Sequence, residues 1–340
     1  MRRILVVRTD RVGDVVMITP MLRELKKKFP DAYLGALTND RSAAVLHHNP
    51  HLDALITDDL DQRTFWKTVR AIRSHRFTDA LLVWPARRAA YQLFLAGIPR
   101  RIGVGHKLYE VITFMRTVTR DYDPPQHEAQ YCMKLARAIG VTTDDLTPEL
   151  YVTQQERHWA RAYFRQLGIP DQSCVVVVHS GSWNTTPNWS EGRYFELITA
   201  MLEKDTLRRV HVLLTAPEMS SGFRRQVADL RDDRIHDITP EVGSLRRLIS
   251  VIAASHVLVA SSTGPLHLAS GLGIKTVGIY CRRPLFRAEH WGALGPMAIN
   301  LEVPEEYCRA HCGAQNGQCG MEDGIHVNDV LQHLDIGASR

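Results

Sequence analysis

The amino-acid sequence predicts an α/β protein made of two Rossmann-like domains, each built on a parallel sheet. Its 340 residues exceed what one hydrophobic core usually organises, so two domains are expected. Short apolar runs alternate with amphipathic stretches, as in parallel strands joined by crossover helices. The alternation thins between residues 141 and 173 and then resumes. We therefore predict an N-terminal domain over 1–168, a C-terminal domain over 169–324, and a C-terminal helix over 325–340 that packs back toward the N-terminal domain.

The first series of elements begins with a buried strand at Ile4–Val7. The helix that follows has an apolar side and ends in lysines, which suit the C-terminal end of the helix dipole; Pro20 should kink or shorten it. Further elements follow in the same order: strands at Tyr33–Leu37, Leu55–Thr57 and Ala80–Trp84, and helices at Ser42–His48 and Thr64–His75.

The second series is similar in architecture without being a sequence repeat. A helix at Gln154–Leu167 lies in the stretch between the two series, where Pro148 and Pro170 indicate a connection. The strands of the second series are expected at Cys174–His179, Val210–Thr215, Val257–Ala260 and Thr276–Tyr280, with a closing helix at Ile325–Leu334.

The composition is that of a globular protein and excludes several classes. Apolar residues make up 44% and charged residues 23% of the chain, which rules out wholesale disorder. The net charge of +5 suits an acidic substrate or an anionic membrane surface and decides little by itself. The sequence holds no apolar run long enough to span a bilayer, and Ile4–Val7 is too short for a signal peptide. A cytoplasmic protein, in contact with a membrane surface at most, is therefore expected.

Motifs for cofactors, metals and nucleic acids are sparse. The first strand-to-helix turn holds one glycine, Gly13, so the glycine pattern of nicotinamide and flavin enzymes is absent and no cofactor is predicted. Cys308, Cys312 and Cys319 cluster near His311 and together could supply four zinc ligands. Their spacing lacks a Cys-x-x-Cys pair, however, and also fits a compact loop of buried thiols. No aromatic-basic platform or recognition helix for nucleic acid is visible.

The most informative stretch lies in the second half of the chain. The apolar run Val257–Ala260 is typical of a strand buried on both faces. Ser262 or Thr263 can cap the following helix, and Gly264 lets a ligand approach the backbone. The helix start offers unpaired amides and positive potential, and His267, one turn in, can point back to the same place. These features predict an anion site of phosphate size, although an ordinary strand-to-helix turn with a core histidine has the same pattern.

Asp14 is the carboxylate that stands beside a glycine, Gly13, near the start of the first helix. In an open parallel sheet, ligands bind beyond the carboxyl ends of the strands, which is where this loop lies. The glycine lets a substrate approach, and the carboxylate can take a proton from a hydroxyl nucleophile. Asp is also a common helix N-cap, so the residue type alone supports both interpretations.

Arginines gather at the ends of the elements of the first domain. Arg8, Arg11, Arg87 and Arg88 lie in or beside two turns that follow strands. Guanidinium groups bind phosphates and carboxylates in a bidentate manner, so an anionic acceptor fits this domain. A solvated basic surface is the alternative.

Two further polar groups follow strands of the second domain. Ser182 belongs to the loop Ser180–Ser182, whose hydroxyls and amides can bind an anion. Glu218 follows the next strand. It can accept hydrogen bonds from ribose hydroxyls, or it can be an exposed glutamate at a helix start.

Five stretches spread over nearly the whole chain together resemble glycosyltransferase family 9, the lipopolysaccharide heptosyltransferases. They are Ile4–Arg8 with Gly13-Asp14, Arg101–Gly103, Ser180–Trp183 leading to Trp189, Ser262–Ala269, and Trp291–Pro296. The resemblance implies a GT-B fold, in which two Rossmann-like domains face a central cleft. It also implies transfer of a heptose from ADP-heptose to an anionic, lipid-linked inner-core acceptor, with inversion at the anomeric carbon and without a metal. Such an enzyme is expected in the cytoplasm, with peripheral contact at the inner membrane as an option.

The resemblance also assigns roles to residues. Asp14 matches the general base of the family. The donor nucleotide and its phosphates are expected at Ser182, Glu218, Ser262, Thr263, Gly264 and His267. The acceptor is expected on the N-terminal domain, at Arg8, Arg11, Gly13, Arg87 and Arg88.

Two positions depart from the family pattern. The family usually has a lysine where Pro187 stands and an aspartate where Ser262 stands. Losing a lysine removes a charge-assisted contact with the diphosphate, worth ~1.5–3 kcal/mol. The alternatives are another nucleotide sugar or acceptor, compensation by Arg282 or Arg283, and a non-catalytic nucleotide-sugar-binding protein of the same fold.

Overall fold

The computed structural model describes residues 1–105, 107–121, 125–182, 185–312 and 321–334. The chain divides into two compact units, Met1–Tyr151 and Val152–Arg340. This division lies before the predicted limit at residue 168. The reason is that the helix Gln154–Gln166 packs against the helix Leu245–Ala254 of the second unit.

The first unit contains a parallel sheet. Its strands are β1 Arg3–Val7, β2 Tyr33–Asn39, β3 Ala54–Asp58, β4 Asp79–Leu82, β5 Arg100–Val104 and β6 Arg116–Val118. They lie in the order β3-β2-β1-β4-β5-β6. The direction of the chain across the sheet changes between β1 and β4, so the topological switch point, where open α/β sheets bind ligands, lies between these neighbours.

Helices cover this first sheet. They are α1 Val12–Val16, α2 Thr19–Lys28, α3 Phe65–Ser74, α4 Arg87–Leu95, α5 Leu108–Ile112 and α6 Glu128–Arg137. Leu5 and Val7 of β1 share a core with α3 and α4. Pro20 acts as predicted, since it stands in the first turn of α2 and the helical run is divided before it. The helix predicted at Ser42–His48 is instead a short 3-10 turn, Ala43–Leu46.

The second unit contains another parallel sheet. Its strands are β7 Cys174–His179, β8 Val210–Leu214, β9 Ile235–Asp237, β10 Val257–Ser261, β11 Lys275–Tyr280 and β12 Ala298–Glu302. They lie in the order β12-β11-β10-β7-β8-β9, which places the switch point between β7 and β10. Every residue of β10 is buried, as predicted for a strand covered on both faces.

The helices of the second unit complete its core. They are α7 Gln154–Gln166, α8 Glu191–Glu203, α9 Ser221–Asp229, α10 Thr239–Val242, α11 Leu245–Ala254, α12 Gly264–Gly271, α13 Ala288–Trp291, α14 Glu305–His311 and α15 Val327–Leu331. The closing helix packs on α8 of its own unit, because Val330, Leu331 and Leu334 belong to that core. Its packing toward the N-terminal domain stays a prediction, and residues 335–340 lie outside the described part. No described helix is both long and apolar enough to cross a membrane.

Candidate active site

The loop between β1 and α1 lies at the switch point of the first sheet and is held from β2. The Asn39 side-chain amide donates hydrogen bonds to the carbonyl oxygens of Thr9 and Asp10. Arg11 occupies the N-cap position of α1, and Asp14 lies in the first turn. Asp14 is therefore not the N-cap, so that interpretation of this carboxylate is wrong.

Arg8 is the centre of a buried charge cluster. Its side chain is fully buried and contacts three carboxylates. Nε donates to Asp10 Oδ1 at 2.7 Å, Nη1 donates to Glu128 Oε1 at 2.7 Å, and Nη2 donates to Asp14 Oδ1. Arg120 binds the second carboxylate oxygen of Glu128. A network of buried ion pairs therefore supports the loop between β1 and α1.

Trp84 forms an aromatic wall beside this cluster. It follows β4, the strand next to β1, and its side chain is partly exposed. The guanidinium carbons of Arg8 and Arg120 lie 5.4 and 5.0 Å from the centre of its ring. An aromatic face at a switch point offers an apolar surface on which a sugar ring can pack.

Asp14 is the member of this cluster suited to act as a base. Burial raises its pKa to about 6, with further upward contributions from Asp10 and Glu128 and an opposing one from Arg8. Three carboxylates face two guanidinium groups, so the fully ionised cluster carries one surplus negative charge. A proton on Asp14 removes that surplus. A carboxylate whose pKa lies near neutrality can accept a proton at physiological pH.

The four arginines predicted to hold the acceptor fall into two pairs. Arg8 is enclosed by carboxylates, and Arg88 is bound to Asp58, with Nε–Oδ2 at 2.8 Å and Nη2–Oδ1 at 2.9 Å. The charges of both arginines are thus already paired with carboxylates of the first unit, and their contact with an acceptor stays a prediction. Arg11 and Arg87 are exposed, at the starts of α1 and α4. Gly13 lies buried next to Asp14.

The turn between β10 and α12 has the predicted form. Thr263 occupies the N-cap position without capping the helix by its side chain, and Pro265 stands in the first turn. Amides in the first turn of a helix have no intrahelical partner, and Gly264 contributes one of them. The Thr263 Oγ1 atom is shielded from solvent and has no hydrogen-bond partner among the described residues. Unsatisfied donors at the positive end of a helix form an anion-binding arrangement.

His267 lies one turn below Thr263 and is almost fully buried. The centre of its ring is 6.3 Å from that of Trp291. The segment after Trp291 is tied to α12, because the Ser270 hydroxyl donates to the Leu294 carbonyl. Two of the stretches that carry the family resemblance therefore meet around this histidine.

The loop after β7 is attached to the turn after β10. The Thr186 hydroxyl donates to the Ser262 carbonyl at 3.0 Å, and the Trp189 amide donates to the Ser261 hydroxyl at 3.3 Å. Ser180 Oγ is buried and has no hydrogen-bond partner within the described ranges. The two loops that flank the second switch point are thus joined, with unsatisfied hydroxyls on both.

Ser182 and Glu218 lie along the same sheet edge. Ser182 is buried, and its carbonyl accepts hydrogen bonds from the Thr185 amide and hydroxyl at 3.0 and 2.7 Å. Glu218 packs directly on Gly181, where a Cβ would lie 2.1 Å from the Glu218 Oε1 atom, so a glycine is required for Glu218 to reach this position.

Burial lowers the pKa of His179, a neighbour of Glu218, to about 4, so this imidazole is neutral at pH 7.

The two departures from the family pattern lie within the joined loops. Pro187 stands between Thr186 and Asn188, and Ser262 offers its carbonyl to Thr186. Arg282 follows β11, the neighbour of β10, and pairs with Glu302 at 3.4 Å. Compensation of the missing lysine by Arg282 or Arg283 stays a prediction.

The predicted zinc set is only partly within the described residues. Cys308 and Cys312 lie one turn apart at the end of α14, where the His311 ring stacks on Tyr307 with centres 4.2 Å apart. In the ranges that the structure describes, no group of three or more His, Cys, Asp or Glu side chains is arranged to hold a metal. Cys319 lies outside those ranges.

Sequence reasoning missed Glu128, Arg120 and Trp84. Glu128 lies 120 positions after Arg8, and nothing local in the sequence pairs them. The signal that points to Glu128 is its place at the start of α6, a helix whose other inward residues are mainly apolar. A carboxylate buried there needs a buried cation.

Two Rossmann-like units, with a candidate base on the first and a candidate anion-binding turn on the second, fit the architecture of a GT-B glycosyltransferase. Residues 65–318 match the family model of glycosyltransferase family 9 (heptosyltransferase). The chain belongs to this family, as the sequence motifs predicted.

Relatives and solved structures agree with this assignment. The lipopolysaccharide heptosyltransferase 2 of Escherichia coli is 22% identical over 293 residues, which cover 82% of each chain. A family 9 glycosyl transferase structure from Veillonella parvula superposes with a TM-score of 0.81 at 19% identity, covering 98% of this chain and 96% of that one. The structure of E. coli ADP-heptose lipopolysaccharide heptosyltransferase II gives a TM-score of 0.77 at 19% identity, with 98% of both chains covered. The predicted GT-B fold is confirmed.

Proposed function

We propose that the protein transfers a heptose from ADP-heptose to a lipid-linked inner-core saccharide of lipopolysaccharide. The observation that carries this proposal is the Asp14 carboxylate, whose pKa is raised to about 6 at the switch point of the first sheet. The chain belongs to a family of heptosyltransferases. A similar protein of Escherichia coli is named for lipopolysaccharide heptose transfer, and the name given with its solved structure includes ADP-heptose.

In the proposed reaction, Asp14 takes the proton of an acceptor hydroxyl as the hydroxyl oxygen attacks the anomeric carbon of the donor. The bond between that carbon and the diphosphate oxygen breaks, and the nucleoside diphosphate leaves with the electron pair. Attack from the face opposite the leaving group inverts the anomeric configuration. Arg8 fixes the Asp14 carboxylate, while Arg11, Gly13 and Arg87 border the surface where the acceptor would lie.

The second unit would hold the donor. The start of α12, with Thr263 and Gly264, is suited to stabilise the charge that grows on the departing diphosphate. Ser182 and Ser262 line the joined loops, and Glu218 is placed on the same sheet edge to accept hydrogen bonds from the ribose. Backbone amides, hydroxyls and His267 would take the role that a metal ion plays in other transferases.

The replacement Asp14→Asn tests the base. It keeps the side-chain shape and removes the proton acceptor, so the rate of heptose transfer should fall about 10²–10⁴-fold. Binding of ADP, measured by titration calorimetry, should be unchanged. The matched control is Asp40→Asn, an exposed aspartate of the same unit, which should transfer normally. Wild-type turnover by the Asp14→Asn variant would show that another group is the base.

Pro187 and Ser262 favour one second candidate: a transferase of the same fold that uses a different nucleotide sugar or acceptor. The loop that holds Pro187 reaches the α12 turn through hydroxyl and amide hydrogen bonds. These hydrogen bonds between the two loops do not by themselves select a particular nucleobase or sugar in the donor. Equilibrium binding of ADP-, GDP-, UDP- and dTDP-sugars separates the two candidates, because heptose transfer from ADP-heptose requires preference for the adenine nucleotide.

A further inference from the structure

One surface of the first unit, formed by α5 and the residues after it, exposes large apolar side chains while an acidic side chain is buried beneath it. In the segment of α5 and the residues after it, Leu108, Val111 and Phe114 are 75%, 72% and 80% exposed. In the same segment, the carboxyl-bearing side chain of Glu110 is buried, with 1% of its surface exposed. A helix that turns its acid inward and its large apolar side chains outward does not follow the pattern of a globular surface.

Specific contacts hold this segment in place. The Glu110 carboxylate accepts a hydrogen bond from the Lys107 amide at 2.7 Å. The Thr113 carbonyl accepts two from the Arg101 guanidinium, at 2.6 and 3.2 Å. Phe114 has a φ of 50°, a left-handed conformation that costs an aromatic residue ~1 kcal/mol or more. The outward direction of the apolar side chains is therefore fixed by the fold.

The apolar surface extends to the end of α4. We call it the α5 patch and define it by six side chains: Phe94, Leu95, Leu108, Val111, Ile112 and Phe114. The rings of Phe94 and Phe114 lie with their centres 6.3 Å apart, which makes the patch continuous across the two helices. Contiguous exposed apolar patches on soluble domains mark interaction sites.

The exposed charges in the segment of the α5 patch have one sign. Lys107 and Arg116 are exposed beside it in the chain, and Arg100 is exposed as well but pairs with the buried Asp79 at 3.0 Å. Between residues 94 and 118 the sequence contains one acidic residue, Glu110, and it is buried. A second copy of this chain would have to bring two such basic borders together in a symmetric interface, which like-charge repulsion disfavours.

We propose that the α5 patch docks on an anionic membrane surface, with its apolar side chains among the lipid headgroups and its basic border on the lipid phosphates. Aromatic and aliphatic side chains surrounded by Lys and Arg are the composition of interfacial membrane contacts. The segment begins at the carboxyl end of β5, where Leu108 lies, and reaches the amino end of the parallel strand β6, just before which Phe114 lies. The α5 patch therefore runs along the side of the sheet that β5 and β6 form.

Flotation of the protein with lipid vesicles tests the proposal. The protein should float with vesicles that contain phosphatidylglycerol and much less with pure phosphatidylcholine. Lys107→Gln with Arg116→Gln should lower binding to the anionic vesicles about 30-fold, since each charge near such a surface is worth ~1 kcal/mol. Val111→Ser with Phe114→Ser should lower it at least about 10-fold, because buried apolar area is lost.

Matched controls lie in the second unit. Leu285 is 61% exposed, and Arg225 is exposed on α9; Leu285→Ser and Arg225→Gln should bind vesicles as the wild type does. Thermal unfolding checks that each variant is folded. The vesicles carry no saccharide and no nucleotide sugar, so the outcome is separate from that of the proposed transfer. Failure of the wild type to float, equal flotation of the patch variants, or a dimer that Val111→Ser with Phe114→Ser dissociates would each overturn the proposal.

Discussion

Asp14 lies in a buried environment that disfavours the ionised form of its carboxyl group. Burial raises its pKa to about 6 even though Arg8 lies within hydrogen-bond distance. The reason is that Arg8 is shared with Asp10 and Glu128, so Asp14 receives part of one positive charge. Sites that need a proton acceptor near neutral pH commonly sacrifice stability in this way.

The replacement Asp14→Asn should therefore stabilise the protein at neutral pH while it stops transfer. The folded-state pKa is above the unfolded value of 3.8, so the folded state loses stability as pH rises from about 4 to 6. Above pH 6 the cost is fully present, up to about 3 kcal/mol. Denaturant unfolding should show the variant more stable than the wild type above pH 6, with the difference vanishing near pH 4. A difference that does not change with pH would contradict this account.

Glu128 should set the pH at which the transferase becomes active. Its negative charge raises the pKa of Asp14. With Glu128→Gln, Arg8 is shared by one carboxylate fewer, so the midpoint of the kcat/KM pH profile should move below that of the wild type, which we expect near the Asp14 pKa of about 6. The folded state should also lose ~3–5 kcal/mol, because Arg120 loses a buried partner.

The control for that profile is Glu149→Gln. Glu149 pairs with Arg23 at 2.6 Å in the same unit, away from Asp14. This variant should lose some stability without moving the midpoint. If both variants give the wild-type midpoint, Glu128 has only a structural role.

Among the elements, β10 and the loop after β7 act together at the second switch point. Ser261, the last residue of β10, accepts the Trp189 amide at 3.3 Å, and its Oγ lies 3.2 Å from the Tyr194 hydroxyl. The hydroxyl thus fixes the loop that is proposed to hold the donor phosphates. This connection links a buried strand end to the position of Thr186 and the α12 turn.

Ser261→Ala should raise the KM for the nucleotide sugar and lower stability by ~1–3 kcal/mol, because a buried amide loses its partner. Steady-state kinetics with varied donor, together with denaturant unfolding, measure both effects. The matched control is Ser250→Ala in α11, whose hydroxyl donates to the Arg246 carbonyl of its own helix at 2.9 Å. If Ser261→Ala is destabilised but its KM for the donor is unchanged, the loop after β7 does not take part in donor binding.

Elements with continuous apolar runs were predictable, and polar edge elements were not. β1, β7 and β10 lie in the middle of their sheets, and each contains an unbroken apolar run of four or five residues, so they were predictable. The unpredicted β6, β9 and β12 are short or half exposed at sheet edges, where a strand alternates apolar and polar residues. β5 begins with two arginines and contains a glycine, which leave no continuous apolar run, so this strand was not predicted either.

The same distinction applies to the candidate site. Asp14 and Thr263 were predicted because each belongs to a local turn with a glycine and a helix start. The partners of Arg8 were not, because Glu128 comes from a helix far along the chain. The burial of Arg8 and the pairing of Arg88 with Asp58 depend on carboxylates from other elements, whereas residue type alone suggested ligands for an anionic acceptor.

For the molecule as a whole, nucleotide binding should appear as thermal stability. A ligand at 100 times its Kd stabilises the folded state by ~2.7 kcal/mol, enough to raise Tm by several degrees. We expect ADP to raise Tm more than GDP, UDP or dTDP at equal concentration, as thermal scans of the four mixtures will measure. A larger shift with another nucleotide would favour the second candidate function and connect it with Pro187 and Ser262.

The complete enclosure of Arg8 also keeps dissolved ions away from the guanidinium group that pairs with the candidate base. Mobile counterions screen charges that they can approach, over ~8–10 Å at moderate ionic strength, and they cannot enter a packed interior. The attraction between Arg8 and Asp14 should therefore depend little on ionic strength, although the Asp14 side chain itself is 12% exposed. The rate of transfer should accordingly respond more to pH than to salt concentration, whereas the proposed binding to an anionic lipid surface should weaken at high salt.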